Sequence, residues 1–325
     1  MQARLLVLVL LAACGSNALG DAAETSNAQT SAATNSDESG AETTSSGEGS
    51  SSGVAPGEST APAEETTRGS SDEGPGMYFD VGVLPDAPGV DPRCMNNVDI
   101  VFVIDVSTSM GEFIGLLSDE ILAVDAAVQE LNLPQEPHYG LAVFVDDAQL
   151  LNSGNPYDDV LALQADFDMW AAFTSSNQQV GGGNGNFTFP ENSIDGLWLA
   201  AEEFDWRPAA TTDRLVIHVT DDTFWDGPTN QNGVAIVHGY AETVEALQDN
   251  TVRVFSFADQ IGGSCECEDV TPGWSNPYMG MTAIPEATDG GVFDINQILS
   301  SMISLTASID EAVENSHCDP YTPVG

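Results

Sequence analysis

The 325-residue chain carries 51 Asp and Glu against 6 Lys and Arg, a formal charge of −45, and all six basic residues are arginine. So large an acidic excess excludes nucleic acid and anionic membrane surfaces as partners and favours cations. The length allows one large domain or two small ones.

The N-terminal stretch MQARLLVLVLLAACGSN has one basic residue, Arg4, followed by an apolar run from Leu5 to Ala13. A spanning helix needs about 20 apolar residues, so 1–13 is predicted to be a secretory signal peptide. Leu-Ala-Ala-Cys at 11–14 resembles the bacterial lipoprotein processing site, which implies lipidation of Cys14. The alternative is an ordinary signal cleaved near Ala18-Leu19-Gly20, with Cys14 discarded. On the lipoprotein alternative the protein is exported to the cell envelope and anchored in the membrane by its acyl chains. Gly15 stands where an aspartate would retain it at the inner membrane, which points to the outer membrane, on either its periplasmic or its surface face.

Residues 14–76 are Ser, Thr, Glu, Gly, Ala and Pro with scarcely a large apolar side chain. Such a segment cannot offset its chain entropy by burial, and it is predicted to be a disordered tether. A coil of this length has its ends about 40–45 Å apart. Residues 77–94 form a transition, and a folded domain is expected over 95–318, with a tail at 319–325.

Within that domain strands and helices alternate. VDIVFVID (98–105) is a nearly continuous apolar run, the mark of a central strand covered on both faces. Residues 112–132 place Phe113, Leu116, Leu117, Ile121, Val124 and Val128 on one helical stripe. Then come an expected hairpin (138–147 with 148–152), a helix (159–173), a buried strand (213–222), a helix (233–248), and strands at 251–258 and 290–295. A closing helix is expected over 297–313. This order predicts an α/β fold: a doubly wound, mostly parallel six-stranded sheet flanked by helices. Ligand crevices in such sheets lie at the carboxyl ends of the strands.

Asp105, Ser107 and Ser109 stand at alternate positions where the first strand gives way to a helix, and Asp221 ends the strand at 213–222. Small oxygen donors so spaced suit a hard divalent cation; helix capping is the alternative use. Asp222 is expected to be a solvated neighbour or a loop hydrogen-bonder. Asp-Val-Ser-Thr-Ser resembles the DxSxS signature of the von Willebrand factor A family, over roughly 98–315 and in the expected element order. The resemblance implies a Rossmann-like fold with a metal-ion-dependent adhesion site completed by two later loops. Asp105, Ser107, Ser109 and Asp221 would be ligands, with the third-loop ligand either Glu191 or Thr188. GNFTFPENSIDGL resembles the corresponding loop of integrin β subunits, in which a glutamate ligates the metal, and this favours Glu191. Of the positions for flanking ions in those subunits, Asn186 matches but Thr188 replaces an aspartate, and Phe113 follows Glu112 where two aspartates belong. One metal is therefore expected.

Oxygen donors imply Mg²⁺ or Mn²⁺, with Ca²⁺ also accommodated, and not zinc. In the family the cation leaves one position for an acidic residue of a partner protein, which implies metal-dependent adhesion or protein binding. The alternatives are an envelope scaffold whose metal only staples the fold and, more remotely, a metal-assisted hydrolase. No nucleophile motif accompanies the four histidines, and GGGNG at 181–185 lacks the lysine of a phosphate loop. A non-enzyme is expected, with His218 a core residue and His238 within a helix.

Of five cysteines, lipidation of Cys14 leaves four. The family's neighbouring domain ends imply Cys94–Cys318 and hence Cys265–Cys267, with cross-pairing open. The insertion 262–291 is either a stapled surface loop displaying Trp274 and Tyr278 or a segment packed on the domain's edge.

Overall fold

The computed structural model describes residues 96–183, 185–186, 189–260 and 269–324. The expected signal, tether and transition, with Cys14 and Cys94, lie outside these residues, as do Thr188, Cys265 and Cys267. Cys318 is disulfide-bonded.

Six strands form one sheet in the order β3 (Ala148–Leu150), β2 (His138–Phe144), β1 (Asn97–Asp105), β4 (Thr212–Thr220), β7 (Val252–Ala258) and β8 (Gly291–Asp294). Only β2 and β3 pair antiparallel; every other pair is parallel. The fold is the doubly wound α/β arrangement expected from the sequence. All of β1 is buried because the pleat sends alternate residues into two cores. Ile100, Phe102 and Ile104 meet α1 (Gly111–Glu130), α2 (Val160–Phe173) and α7 (Leu305–His317) on one face. Val101 and Val103 meet α3 (Ser193–Glu203) and α4 (Tyr240–Asp249) on the other. The stripe read in 112–132 faces inward as expected, with Phe113, Leu117, Ile121, Val124 and Val128 buried.

Three expectations are corrected. Residues 233–248 are not one helix. Asn232 and Gly233 take positive φ angles of 50° and 84° and join β5 (Thr229–Gln231) to β6 (Val234–Ile236) as a hairpin, the turn chemistry of an Asn-Gly pair. α4 starts only at Tyr240, whose N–H is taken by the Asp226 carboxylate at 2.8 Å, so His238 lies in a loop. Nor do residues 297–313 form one helix. α6 (Ile295–Leu299) ends before Ser301, which has φ of 56°. α7 then restarts under the side chain of Ser304, which accepts from the Ala307 N–H. Last, Trp274 is not displayed. It is 0% exposed, donates Nε1–H to the Asp222 carbonyl at 3.1 Å and packs against His218 and Phe224. Trp274 and Ile284, the latter in α5 (Ile284–Ala287), belong to the core, with Tyr278 half-buried against it, whereas residues 275–277 and Met279 are exposed.

Candidate metal centre

Asp105 is the last residue of β1 and is wholly buried. Its Oδ1 accepts the Ser107 N–H at 2.7 Å, a turn that swings the Ser107 and Ser109 side chains toward the rim. Its Oδ2 accepts the Thr220 hydroxyl at 2.9 Å, tying the ends of β1 and β4 together. The Ser107 and Ser109 hydroxyl oxygens are 3.2 Å apart, and Ser109 donates to Asp221 Oδ1 at 3.0 Å. Four of the expected ligands are thus one hydrogen-bonded chain at the carboxyl rim.

Glu191 joins them from the loop before α3. Main-chain bonds seat it: its N–H goes to the Thr223 carbonyl at 3.1 Å, and its own carbonyl receives the Trp225 N–H at 3.0 Å. Asn192, one residue later than the helix phase suggests, caps α3 by accepting from the Asp195 N–H. The Glu191 side chain is buried, with Oε1 taking the Asn186 amide at 2.8 Å. Oε2 is equally buried and has no hydrogen-bond partner among the described residues. Thr188, the other candidate, lies outside the described residues.

The electrostatics follow from burial. Desolvation, and then the Asp105 charge, push the Glu191 carboxyl up to about 10. Desolvation and then Asp221 push Asp105 up to about 8. Asp221 is also raised, chiefly by burial. Glu191 is raised in part by Asp105 and Asp105 in part by Asp221, and protons or a cation would relieve that repulsion. A buried carboxylate oxygen without a partner among the described residues, in a site that also offers serine hydroxyls, fits a hard oxygen-coordinated cation. Among the described residues no three His, Cys, Asp or Glu side chains are gathered tightly enough to hold an ion on their own. An ion here would be shared between carboxylates and the intervening serines.

Two contributors escaped the sequence. Thr220 ends β4 one residue before Asp221, and the strand's alternation points it back at Asp105. Asp146, buried just beyond β2, accepts from Gln179 Nε2 at 3.2 Å and Asn232 Nδ2 at 3.1 Å, and its charge adds to the rise at Glu191. An aspartate just after an apolar strand was its legible signal, the pattern already used for Asp105 and Asp221. Asp222 behaves as expected, accepting the Thr223 N–H at 2.7 Å. Phe113 is buried in the core and Glu112 is exposed. His218 is a core residue. Its Nδ1 is 3.1 Å from Ser256 Oγ, its ring packs against Phe144 and Trp274, and burial pushes it down to about 3.

No family model matches the chain, and no curated protein is matched. Solved structures similar to it include proximal thread matrix protein 1 of the mussel byssus, at 16% identity and a TM-score of 0.42, covering 71% of this chain and 48% of that one. A further structure of the mussel protein, described as having a zinc-occupied MIDAS motif, gives 15% and 0.40, covering 69% and 46%. An aerotolerance-related membrane protein from Bacteroides fragilis gives 13% and 0.39, covering 68% and 98%. The chain spans about half the length of the mussel protein.

Proposed function

We propose that the domain is a von Willebrand factor A-type module that binds one divalent cation at its carboxyl rim and, through it, an acidic side chain of a partner protein. Asp105, Ser107, Ser109, Glu191 and Asp221 would hold the ion, Mg²⁺ or Mn²⁺ by their chemistry, with Ca²⁺ the looser fit. The observation that carries this is Glu191 Oε2, a buried carboxylate oxygen with no hydrogen-bond partner among the described residues, on a side chain that feels the Asp105 charge. When bound, the cation supplies a positive point with a position open to a carboxylate. Asp105 fixes the serine turn, Thr220 fixes Asp105, and Asn186 orients Glu191.

The chain is further proposed to be an exported lipoprotein of the bacterial cell envelope: signal 1–13, acylated Cys14, and a tether holding the domain away from the outer membrane. Two features support this, the apolar run closed by LAAC and the apolar-poor composition of 14–76. A binding module, not an enzyme, is the best description.

The test is capture by the immobilised full chain of peptide pairs that differ only by Asp or Glu against Asn or Gln. Mg²⁺-dependent retention of the acidic member, reversed by chelator while the domain stays folded, is expected. Equal retention of both members, or retention indifferent to chelator, would sink the proposal and leave the metal a structural staple.

A further inference from the structure

At the opposite end of the sheet, where β1, β4 and β7 begin, lie the three arginines found among the described residues. Arg207 pairs with Asp99, and Arg253 pairs with Asp289 at 3.0 Å. Arg214 differs. Its guanidinium makes bonds to main-chain carbonyls only, to Arg207 at 3.1 and 2.8 Å and to Asn250 at 2.6 Å. Among the described residues no carboxylate comes within ion-pair distance of it. In a chain of charge −45 an arginine without an acid partner among the described residues is unexpected.

Arg214 lines a cavity of about 150 Å³, together with Thr212, Asp213, Arg253, His317 and Tyr321. Three polar atoms of these lining residues are buried with no hydrogen-bond partner among the described residues: Thr212 Oγ1, His317 Nε2 and the Tyr321 hydroxyl. Thr212 and His317 are only 3% and 4% exposed. Native interiors pair nearly all such atoms, so three around one void mark a place for something else. The negative groups nearby are engaged or solvated. Asp213 receives Asn96 Nδ2 at 2.9 Å and holds His317 Nδ1 at 3.1 Å, Asp289 is taken by Arg253, and Asp319 is exposed. The Asp213 contact occupies His317 Nδ1, which leaves Nε2 as the ring nitrogen without a partner among the described residues.

We propose that this cavity binds a small oxyanion, of carboxylate or phosphate type. Its oxygens take hydrogen bonds from the Thr212 and Tyr321 hydroxyls, with the His317 ring lining the same cavity. Arg214 and Arg253 supply the positive field. The site is separate from the carboxyl rim and does not depend on the metal proposal. A void of this size also takes several waters, and the experiment separates the two.

The full chain, stripped by chelator and kept free of divalent ions so that the rim cannot recruit anions, is titrated calorimetrically with acetate and with inorganic phosphate. Ionic strength is held constant with chloride. Saturable one-site binding is expected, weakened about tenfold or more by Tyr321→Phe and by Thr212→Val, each of which removes one hydroxyl and keeps the shape. Acetate alone binding defines a carboxylate site, phosphate alone a phosphate site, and either supports the proposal. If Tyr321→Phe fails to fold, Thr212→Val alone decides. No saturable binding of either anion, or binding unchanged within about twofold in the variants, overturns the proposal and leaves a hydrated void.

Discussion

Asn186 donates its side-chain amide to Glu191 Oε1 at 2.8 Å while Glu191 Oε2, equally buried, receives nothing from the described residues. One half of the carboxylate is held by the protein, and the other half is left open on a side chain that feels the Asp105 charge.

Glu191→Gln keeps the shape and removes a charge from that cluster. In chelator the variant should be more stable than wild type by about 1 kcal/mol or more, or about 2–4 °C in melting temperature for a domain of this size. Its Mg²⁺ affinity should fall at least about tenfold. A variant less stable in chelator than wild type would contradict the account of repulsion.

Stability without the cation should fall as pH rises. Asp105, held near 8 against an ordinary 3.8, and Glu191, held near 10 against 4.5, keep protons in the folded state that the unfolded chain has already released. The loss begins near pH 4 and continues through 8 toward 10, at most about 1.4 kcal/mol per pH unit for each proton. Saturating Mg²⁺ should flatten this limb, as chemical denaturation across pH with and without chelator would show. An identical slope in both conditions would rule it out.

His218 acts at the acid end with the opposite sign. Its folded value near 3 lies below the ordinary 6.5, so its contribution is complete above about pH 6.5 and is lost as pH falls toward 3. His218→Leu should remove that component of the acid limb while leaving the alkaline one. Unfolding curves from pH 3 to 7 that are parallel for variant and wild type would refute the assignment.

Trp274→Ala should cost about 3–5 kcal/mol, the scale of emptying a large buried site, and should loosen the Asp221–Asp222 turn through the lost bond to the Asp222 carbonyl. Urea denaturation measures it. A cost under about 1 kcal/mol would return Trp274 to a surface role.

How far the sequence led can be seen in particular residues. The buried run of β1 and its terminal Asp105 were readable because a continuous apolar strand ending in small oxygen donors has few other uses. The place of Glu191 just ahead of α3 was readable from helix phase, one residue out, since Asn192 is the cap. The helix assigned to 233–248 failed because its apolar spacing outweighed the Asn232-Gly233 turn. The helix assigned to 297–313 failed because neither Ser301 nor Ser304 is a strong breaker by type; their roles come from a left-handed backbone and a cap that only the fold displays. Trp274 was misplaced because Gly- and Pro-rich flanks look like surface, whereas here they thread an aromatic side chain under Asp222. Asp146 left a local trace, an aspartate just beyond an apolar strand, that went unused; the arginine-lined cavity depends on contacts between elements far apart in the chain, and local pattern carries no trace of those.

The most direct measurement is calorimetric titration of the full chain with Mg²⁺ beside Asp105→Ala and Glu191→Ala. One saturable equivalent in wild type, abolished by Asp105→Ala and weakened at least about tenfold by Glu191→Ala, is the predicted result. No saturable binding in wild type, or binding that survives Asp105→Ala unchanged, would contradict the account and reduce the serine turn to a helix cap.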